Sequence, residues 1–228
     1  MGFDQSTFAV AVPGHQLAAF DAAWLWLAEP GGWWTGAEKL AMVCVARGAS
    51  PQPIWDRRPA AIDHLATGVH TGEALSPLLI DTVERVAVEA GSISRQWATA
   101  VIAELGEPAY AELVAVVATL VSIDRACRLL GRDVEPLPEP VPGAATGERA
   151  DETVDIGAYL PAAAGFGGPN VAKSLSVAPT ANLMRLGVVR ALYSGDRFGN
   201  LRWDDGALNR PQVELIAART SALNECFY

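Results

Sequence analysis

Apolar residues recur every three or four positions along most of this chain, the spacing of one face of an α-helix. Glycine, proline or a small polar residue interrupts the pattern at intervals, where a helix would begin or end. The pattern predicts helices over residues 16–29, 38–49, 77–90, 93–105 and 107–130, then a short helix from 170 and longer ones from 179 and 210. Residues 51–76 are predicted to be rich in loops.

The starts of three predicted helices carry N-capping residues. Thr35 precedes Glu38 by three residues, and Asn209 precedes Gln212 by three, which is the spacing of a capping box in both cases. Ser92 is the predicted cap of the helix that begins at Ile93. Local sequence therefore predicts where these helices begin as well as that they form.

The predicted helix over 107–130 is apolar on nearly all sides between Leu113 and Val121, so we expect it to be the central buried helix. Near its end, Asp124 and Arg128 have the i, i+4 spacing of an exposed ion pair. Cys127 in this helix and Cys44 in the helix over 38–49 are expected to be packed core residues.

Four prolines lie within residues 136–142, a density that forces an extended, semi-rigid segment, and a Gly/Ala/Thr/Glu run follows them. We interpret residues 133–153 as a linker. It divides the chain into a first helical unit, residues 1–132, and a second, residues 154–228.

Composition supports an all-α fold and excludes several function classes. Half of the 228 residues are hydrophobic, which is enough for a sizeable core. The net charge of -9 disfavours nucleic-acid binding. No apolar run suggests a membrane span, no signal peptide is recognisable, and an odd number of widely spaced cysteines favours a reducing cytoplasm. His64 and His70 have no third ligand near them, so no metal site is predicted.

The most distinctive chemistry lies in the last predicted helix. Glu214 stands in an otherwise apolar run, twelve residues before Cys226. Burial would raise the pKa of the Glu214 carboxyl and suit it to proton transfer, whereas an exposed first-turn acid would only favour the helix dipole. Cys226 lies just past the predicted helix stop at Asn224, where a following helix start would favour a thiolate. A lone cysteine is otherwise an inert small hydrophobe.

The stretch from Val213 to Tyr228, with its Glu214 and Cys226, resembles the signature helix of the carboxymuconolactone decarboxylase / AhpD alkylhydroperoxidase family. The resemblance extends over 154–228 and, more weakly, over 17–131. It implies an all-α, AhpD-like bundle of two tandem helical units, the first of them degenerate. It also implies a thiol peroxidase with Cys226 and Glu214 as catalytic residues and no cofactor. Its partners would be a hydroperoxide, a dithiol electron donor and further copies of the chain.

In the family's thiol-active members a second cysteine follows the first by three residues and a histidine follows four later. Those positions would be 229 and 233, beyond this sequence. We therefore expect a chain truncated within the active-site motif, with little peroxidase activity as it stands. Two alternatives remain open: a cofactor-free lyase acting on a lactone, which needs a basic pocket, and a non-catalytic helical member of the family.

Overall fold

The computed structural model describes residues 2–50, 75–193, 200, 202–203 and 207–223. The structure is mostly helical, as predicted. Its α-helices are α1 (Gly14–Ala28), α2 (Gly36–Gly48), α3 (Pro77–Val88), α4 (Arg95–Leu105), α5 (Glu107–Leu129), α6 (Asn170–Lys173), α7 (Pro179–Tyr193) and α8 (Arg210–Leu223). Short 3-10 helices cover Gln5–Thr7 and Ala90–Ser92, and the strands β1 (Thr153–Val154) and β2 (Ala162–Ala163) pair antiparallel.

The predicted capping boxes form at both sites. The Thr35 hydroxyl accepts a hydrogen bond from the Glu38 backbone N–H, and the Glu38 carboxylate accepts one from the Thr35 N–H. Asn209 and Gln212 make the same reciprocal pair before α8. The predicted cap at Ser92 is wrong. Ser92 lies in a 3-10 turn, and Ser94 caps α4 instead, because its hydroxyl accepts from the Trp97 N–H at 3.2 Å.

Helix α5 is the centre of the core, as its sequence predicts. The helices α2, α3, α4 and α7 pack against it, and α1 packs against α2 and α7. Side chains from these helices and from the segment before α7 form one hydrophobic cluster, whose members include Phe20, Leu27, Met42, Val43, Val83, Val101, Leu113, Leu120, Ile123, Val177 and Val188. Burial of this common apolar surface supplies the main driving force for folding.

Residues 133–153 run along α1 and the loop that follows it. The Trp24 indole N–H donates to the Pro136 carbonyl at 3.0 Å, and the Val141 N–H donates to the Ala28 carbonyl at 2.8 Å. Beyond this strap, α7 contributes Val188 to the same hydrophobic cluster as Phe20 of α1. The division into two units stays a prediction, but the described residues on its two sides share one core.

The expected ion pair between Asp124 and Arg128 is wrong. Asp124 is buried and forms two hydrogen bonds of 2.8 Å with the guanidinium of Arg47, which lies 77 residues away in sequence. Arg47 also donates to the Glu135 carbonyl of the strap at 2.9 Å. A bidentate pair to a residue on another helix is stronger than an exposed i, i+4 pair, and it fixes α2 against α5.

A buried carboxylate fastens the loop between α1 and α2. Glu112, on α5, is almost fully buried, and its Oε2 accepts a hydrogen bond from the Trp33 N–H at 2.7 Å. A Cβ at Gly31 would overlap its Oε1, so a larger residue there would displace the carboxylate. The loop carbonyl groups of Gly31 and Gly32 then accept from the strap, at Thr146 and Gly147.

Lys39 is fully buried in the same region, on α2. Its ammonium group donates to the Trp26 carbonyl and lies 4.2 Å from the centre of the Trp26 ring. Burial lowers the pKa of Lys39 to about 8, against the opposing attraction of Glu112 and Glu29. Burial also raises the pKa of Glu112, partly offset by the Trp33 hydrogen bond and by Lys39. Each group makes the other's charge tolerable in the core.

No single helix among the described residues is long and apolar enough to cross a membrane. Helices α4 and α5 reach the necessary apolar length only together, and the chain bends by 112° between them.

The shared core predicts one cooperative unfolding transition for both sides of the strap. We expect Phe20→Ala to destabilise the protein by about 3–5 kcal/mol. Val188→Ala, on α7, should lower the same thermal transition, whereas Leu25→Ala, at a side chain that is 63% exposed, should change stability by less than about 0.5 kcal/mol. Scanning calorimetry checks this. Two separate transitions, one sensitive to each core variant, would contradict a common core.

Lys39 predicts a stability that rises with pH in the alkaline range. Because its pKa is about 8 in the folded state and 10.5 otherwise, the unfolded chain binds more protons between these values. The free energy of unfolding should therefore increase from pH 8 to pH 10, with a contribution on the order of 1–2 kcal/mol. Lys39→Met should remove that contribution.

Urea unfolding at the two pH values measures the effect. Lys173 is the chain's other lysine and lies half-buried on α6, so Lys173→Met is the matched control. The same pH dependence in wild type and Lys39→Met would show that Lys39 is not held in a desolvated site.

Candidate functional site

Glu214 lies one turn into α8, where two residues hold its carboxylate. The Tyr193 hydroxyl, at the end of α7, donates to Oε2 at 2.8 Å. The Arg210 guanidinium, one helical turn earlier on α8, donates from Nε to Oε1 at 3.1 Å. Both carboxylate oxygens are thus oriented by a charged or polar donor. The Glu214 side chain is nevertheless 46% exposed.

A buried tryptophan packs against both of these donors. Trp203 is 4% exposed, and the Tyr193 ring meets it edge-on with 6.1 Å between ring centres. The Arg210 guanidinium lies over the Trp203 ring at 5.5 Å and also donates to the Asn200 carbonyl. Stacking and hydrogen bonding together fix Arg210, so the side chains at the corner between α7 and α8 hold one another in place. We call Tyr193, Trp203, Arg210 and Glu214 the corner cluster.

The electrostatics of the corner cluster favour an ionised Glu214. The hydrogen bond from Tyr193 is the main cause that lowers the pKa of Glu214, and Arg210 lowers it further. The pKa of Tyr193 is raised, first by burial and then by its hydrogen bond to this carboxylate. Glu214 is therefore a carboxylate at neutral pH, and Tyr193 stays a neutral phenol that donates to it.

Of the two environments that the sequence left open for Glu214, the structure has the exposed one, although Glu214 lies just beyond the first turn of α8. The expected burial with a raised pKa is wrong. The sequence placed Glu214 in an apolar run, but none of the residues of α8 is buried, so that run does not desolvate the carboxylate. Tyr193 and Arg210 change its pKa in the opposite direction.

Cys226 lies outside the described residues. The last residue of α8, Leu223, precedes it by three positions and follows Glu214 by nine. At 1.5 Å per residue, the end of α8 is about 14 Å along the helix axis from Glu214. A contact between the Glu214 carboxylate and the Cys226 sulfur thus requires the chain beyond Leu223 to turn back, or a thiol supplied by another copy.

The two cysteines within the described part of the chain differ from each other. Cys127 is buried in α5, as predicted, and burial raises the pKa of its thiol. Cys44 is exposed on α2, so the prediction that it is a core residue is wrong. Its neighbours Met42 and Val43 are the residues of this turn that face the core. Cys44 is accessible to thiol reagents, whereas Cys127 is shielded from them.

Metal ligands are not grouped in the part of the chain that the structure describes. No three His, Cys, Asp or Glu side chains there are close enough together to hold a metal ion. His64 and His70 lie outside the described residues.

The sequence analysis assigns no role to Tyr193, Arg210 or Trp203. The i, i+4 spacing of Arg210 and Glu214 was a usable signal for their ion pair. Nothing local indicates Trp203, because its contacts are with residues on two different helices. A scan against protein-family models finds no match for this chain, and comparisons with curated proteins and with solved structures find none either.

Proposed function

We propose that the corner cluster is part of a thiol peroxidase site of the AhpD-like kind, with Cys226 as its thiol and Glu214 as its carboxylate. The observation that carries the proposal is the carboxylate itself, which is held at both oxygens by Tyr193 and Arg210. An acid that served only the helix dipole would need neither partner. The substrate class is an organic hydroperoxide, and the electron donor is a dithiol.

The proposed reaction is a nucleophilic displacement at peroxide oxygen. The Cys226 thiolate attacks the terminal oxygen of the hydroperoxide, the O–O bond breaks, and the alkoxide leaves and takes up a proton to give the alcohol. The sulfur is oxidised to a sulfenic acid. A thiol of the donor then attacks the sulfenic sulfur, releasing water and forming a mixed disulfide, which the donor's second thiol resolves.

Glu214 enters this reaction as a proton acceptor, because its lowered pKa keeps it ionised. A carboxylate of this kind is a weak base and would hold a thiol proton only briefly. The departing alkoxide is a far stronger base, so the proton passes on to it. Tyr193 and Arg210 keep the carboxylate in one orientation throughout, which is what a relay between two reacting groups requires.

The proposal predicts that Cys226 reacts with one equivalent of cumene hydroperoxide to give a sulfenic acid. Cys226→Ser should abolish this reaction. Glu214→Gln should slow it by about 100-fold, because the amide cannot accept a proton. Trapping with dimedone, followed by mass spectrometry of the labelled peptides, measures the rate of sulfenic acid formation at Cys226. Because the peptides differ, any reaction at Cys44 is detected separately.

Two variants serve as controls. Glu104→Gln removes an exposed carboxylate from α4 and should leave the rate unchanged, and Cys44→Ser removes an accessible thiol that the proposal does not use. A rate at Cys226 that is the same in Glu214→Gln as in the wild type would refute the relay. Cleavage of a carboxylated lactone that survives Cys226→Ser would favour the cofactor-free lyase instead.

A second candidate function, assembly through α8 without catalysis, is favoured by the exposure of that helix. Leu215, Ile216 and Leu223 are 70%, 56% and 67% exposed, although helices of this composition normally bury one face. An apolar face of this kind is typical of a surface that another copy of the chain covers.

Assembly through α8 predicts that the chain is an oligomer in sedimentation velocity and that Ile216→Gln shifts it toward monomer. Leu129→Gln is the matched control, since Leu129 is also an exposed apolar residue but lies at the end of α5. A monomeric wild-type chain, or an equal shift in both variants, would exclude this interface. Retention of the peroxide reaction in a monomeric Ile216→Gln protein would separate assembly from catalysis.

A further inference from the structure

A small pocket lies far along the chain from the corner cluster, where α2, α3 and α5 come together. It has a volume of about 120 Å³, is open to solvent on one side, and is bordered by the last turns of α2 and α3 and the second half of α5. Its wall is formed by two groups of side chains, one apolar and one charged. The lining residues are Ala46, Arg47, Ala49, Ala87, Val88, Leu120, Val121, Asp124, Arg125 and Arg128.

The charged part of the wall is strongly positive for a chain of net charge -9. Three arginines and one aspartate line the pocket, and the aspartate, Asp124, is engaged on both oxygens by Arg47. Arg125 and Arg128 are exposed, and neither guanidinium group forms a hydrogen bond or ion pair with any residue in the described part of the chain. Two guanidinium groups are therefore available to an anion.

The fixed pair gives this pocket a rigid base. Arg47 is held by Asp124, by the Glu135 carbonyl and by the face of the Trp24 ring, at 5.4 Å from the ring centre. Its position therefore does not depend on a ligand. The C-terminal ends of α2 and α3 carry partial negative charge, which the arginines also offset. Offsetting the partial charge of the helix ends would explain why arginines lie here. It would not explain why apolar side chains lie beside their guanidinium groups.

Size and lining together define a ligand class. A volume of 120 Å³ corresponds to about four water molecules, so the pocket suits a ligand of roughly four to six non-hydrogen atoms. Alanine, valine and leucine side chains form the apolar part of the lining. A carboxylate bonded to a short aliphatic chain satisfies both surfaces, because arginine binds carboxylates in a bidentate manner and the chain replaces water on the apolar wall.

We propose that this pocket binds a small aliphatic monocarboxylate through Arg125 and Arg128. The proposal does not depend on the peroxidase proposal, since the pocket shares no residue with the corner cluster.

Propionate, with its neutral isostere propionamide, is the probe. In an NMR titration of the full chain at low ionic strength, propionate should give saturable shifts of the backbone amides of 46–49 and 120–128, with a Kd of about 1–10 mM. The double variant Arg125→Gln/Arg128→Gln should weaken binding by at least about 5-fold, and 0.5 M NaCl should weaken wild-type binding as well. Arg125→Lys/Arg128→Lys should retain part of the affinity.

Arg190→Gln is the control, because Arg190 is an exposed arginine on α7 outside the pocket. The Arg125→Gln/Arg128→Gln and Arg190→Gln variants replace exposed side chains. Thermal midpoints equal to that of the wild type would verify that their fold is unchanged. Equal binding of propionamide, equal binding of inorganic phosphate, equal weakening by Arg190→Gln, or no saturable shift up to about 50 mM propionate would each overturn the proposal.

Discussion

The buried carboxylate of Glu112 is the interaction on which the arrangement of this molecule depends. It lies on the central helix and accepts a backbone hydrogen bond from Trp33, which fixes the glycine loop between α1 and α2. That loop holds the strap at residues 146–147, and Glu148, the next residue, accepts hydrogen bonds from the backbone and hydroxyl of Thr180 in the first turn of α7. A buried carboxylate is costly unless it is compensated, and backbone donors together with Lys39 offset part of that cost.

This chain of contacts connects the core to the candidate site. Because Glu148 binds the first turn of α7, the position of that helix is set at its N-terminal end by the strap and along its length by α1 and α5. Tyr193 is the last residue of α7 and carries the hydrogen bond to Glu214. The carboxylate of the corner cluster is therefore positioned by the same network that closes the core. Helix α8 buries none of its own residues, so the corner cluster is an important attachment for it.

The sequence predicts the helices well because their determinants are local. Apolar spacing and the two capping boxes, at Thr35 and Asn209, lie within a few residues of the features they specify. Contacts between distant residues were not predictable in this way. Asp124 has Arg128 four residues away, yet it pairs with Arg47, because only the packed helices bring that guanidinium to it. The environment of Glu214 was likewise uncertain from sequence, since its pKa depends on a tyrosine 21 residues earlier.

Glu214 and the apolar face of α8 are exposed on the same part of the helix, because Leu215 and Ile216 follow Glu214 directly in the chain. Covering that face would remove water from the carboxylate as well as from the leucine and isoleucine, and desolvation raises the pKa of a carboxyl group. The hydrogen bond from Tyr193 and the charge of Arg210 act against that rise. A pKa moved upward toward neutrality is the condition under which a carboxyl group relays protons best. The proposed assembly and the proposed proton transfer would therefore both depend on the surroundings of Glu214, since covering the apolar face of α8 would act against the lowering of its pKa by Tyr193 and Arg210.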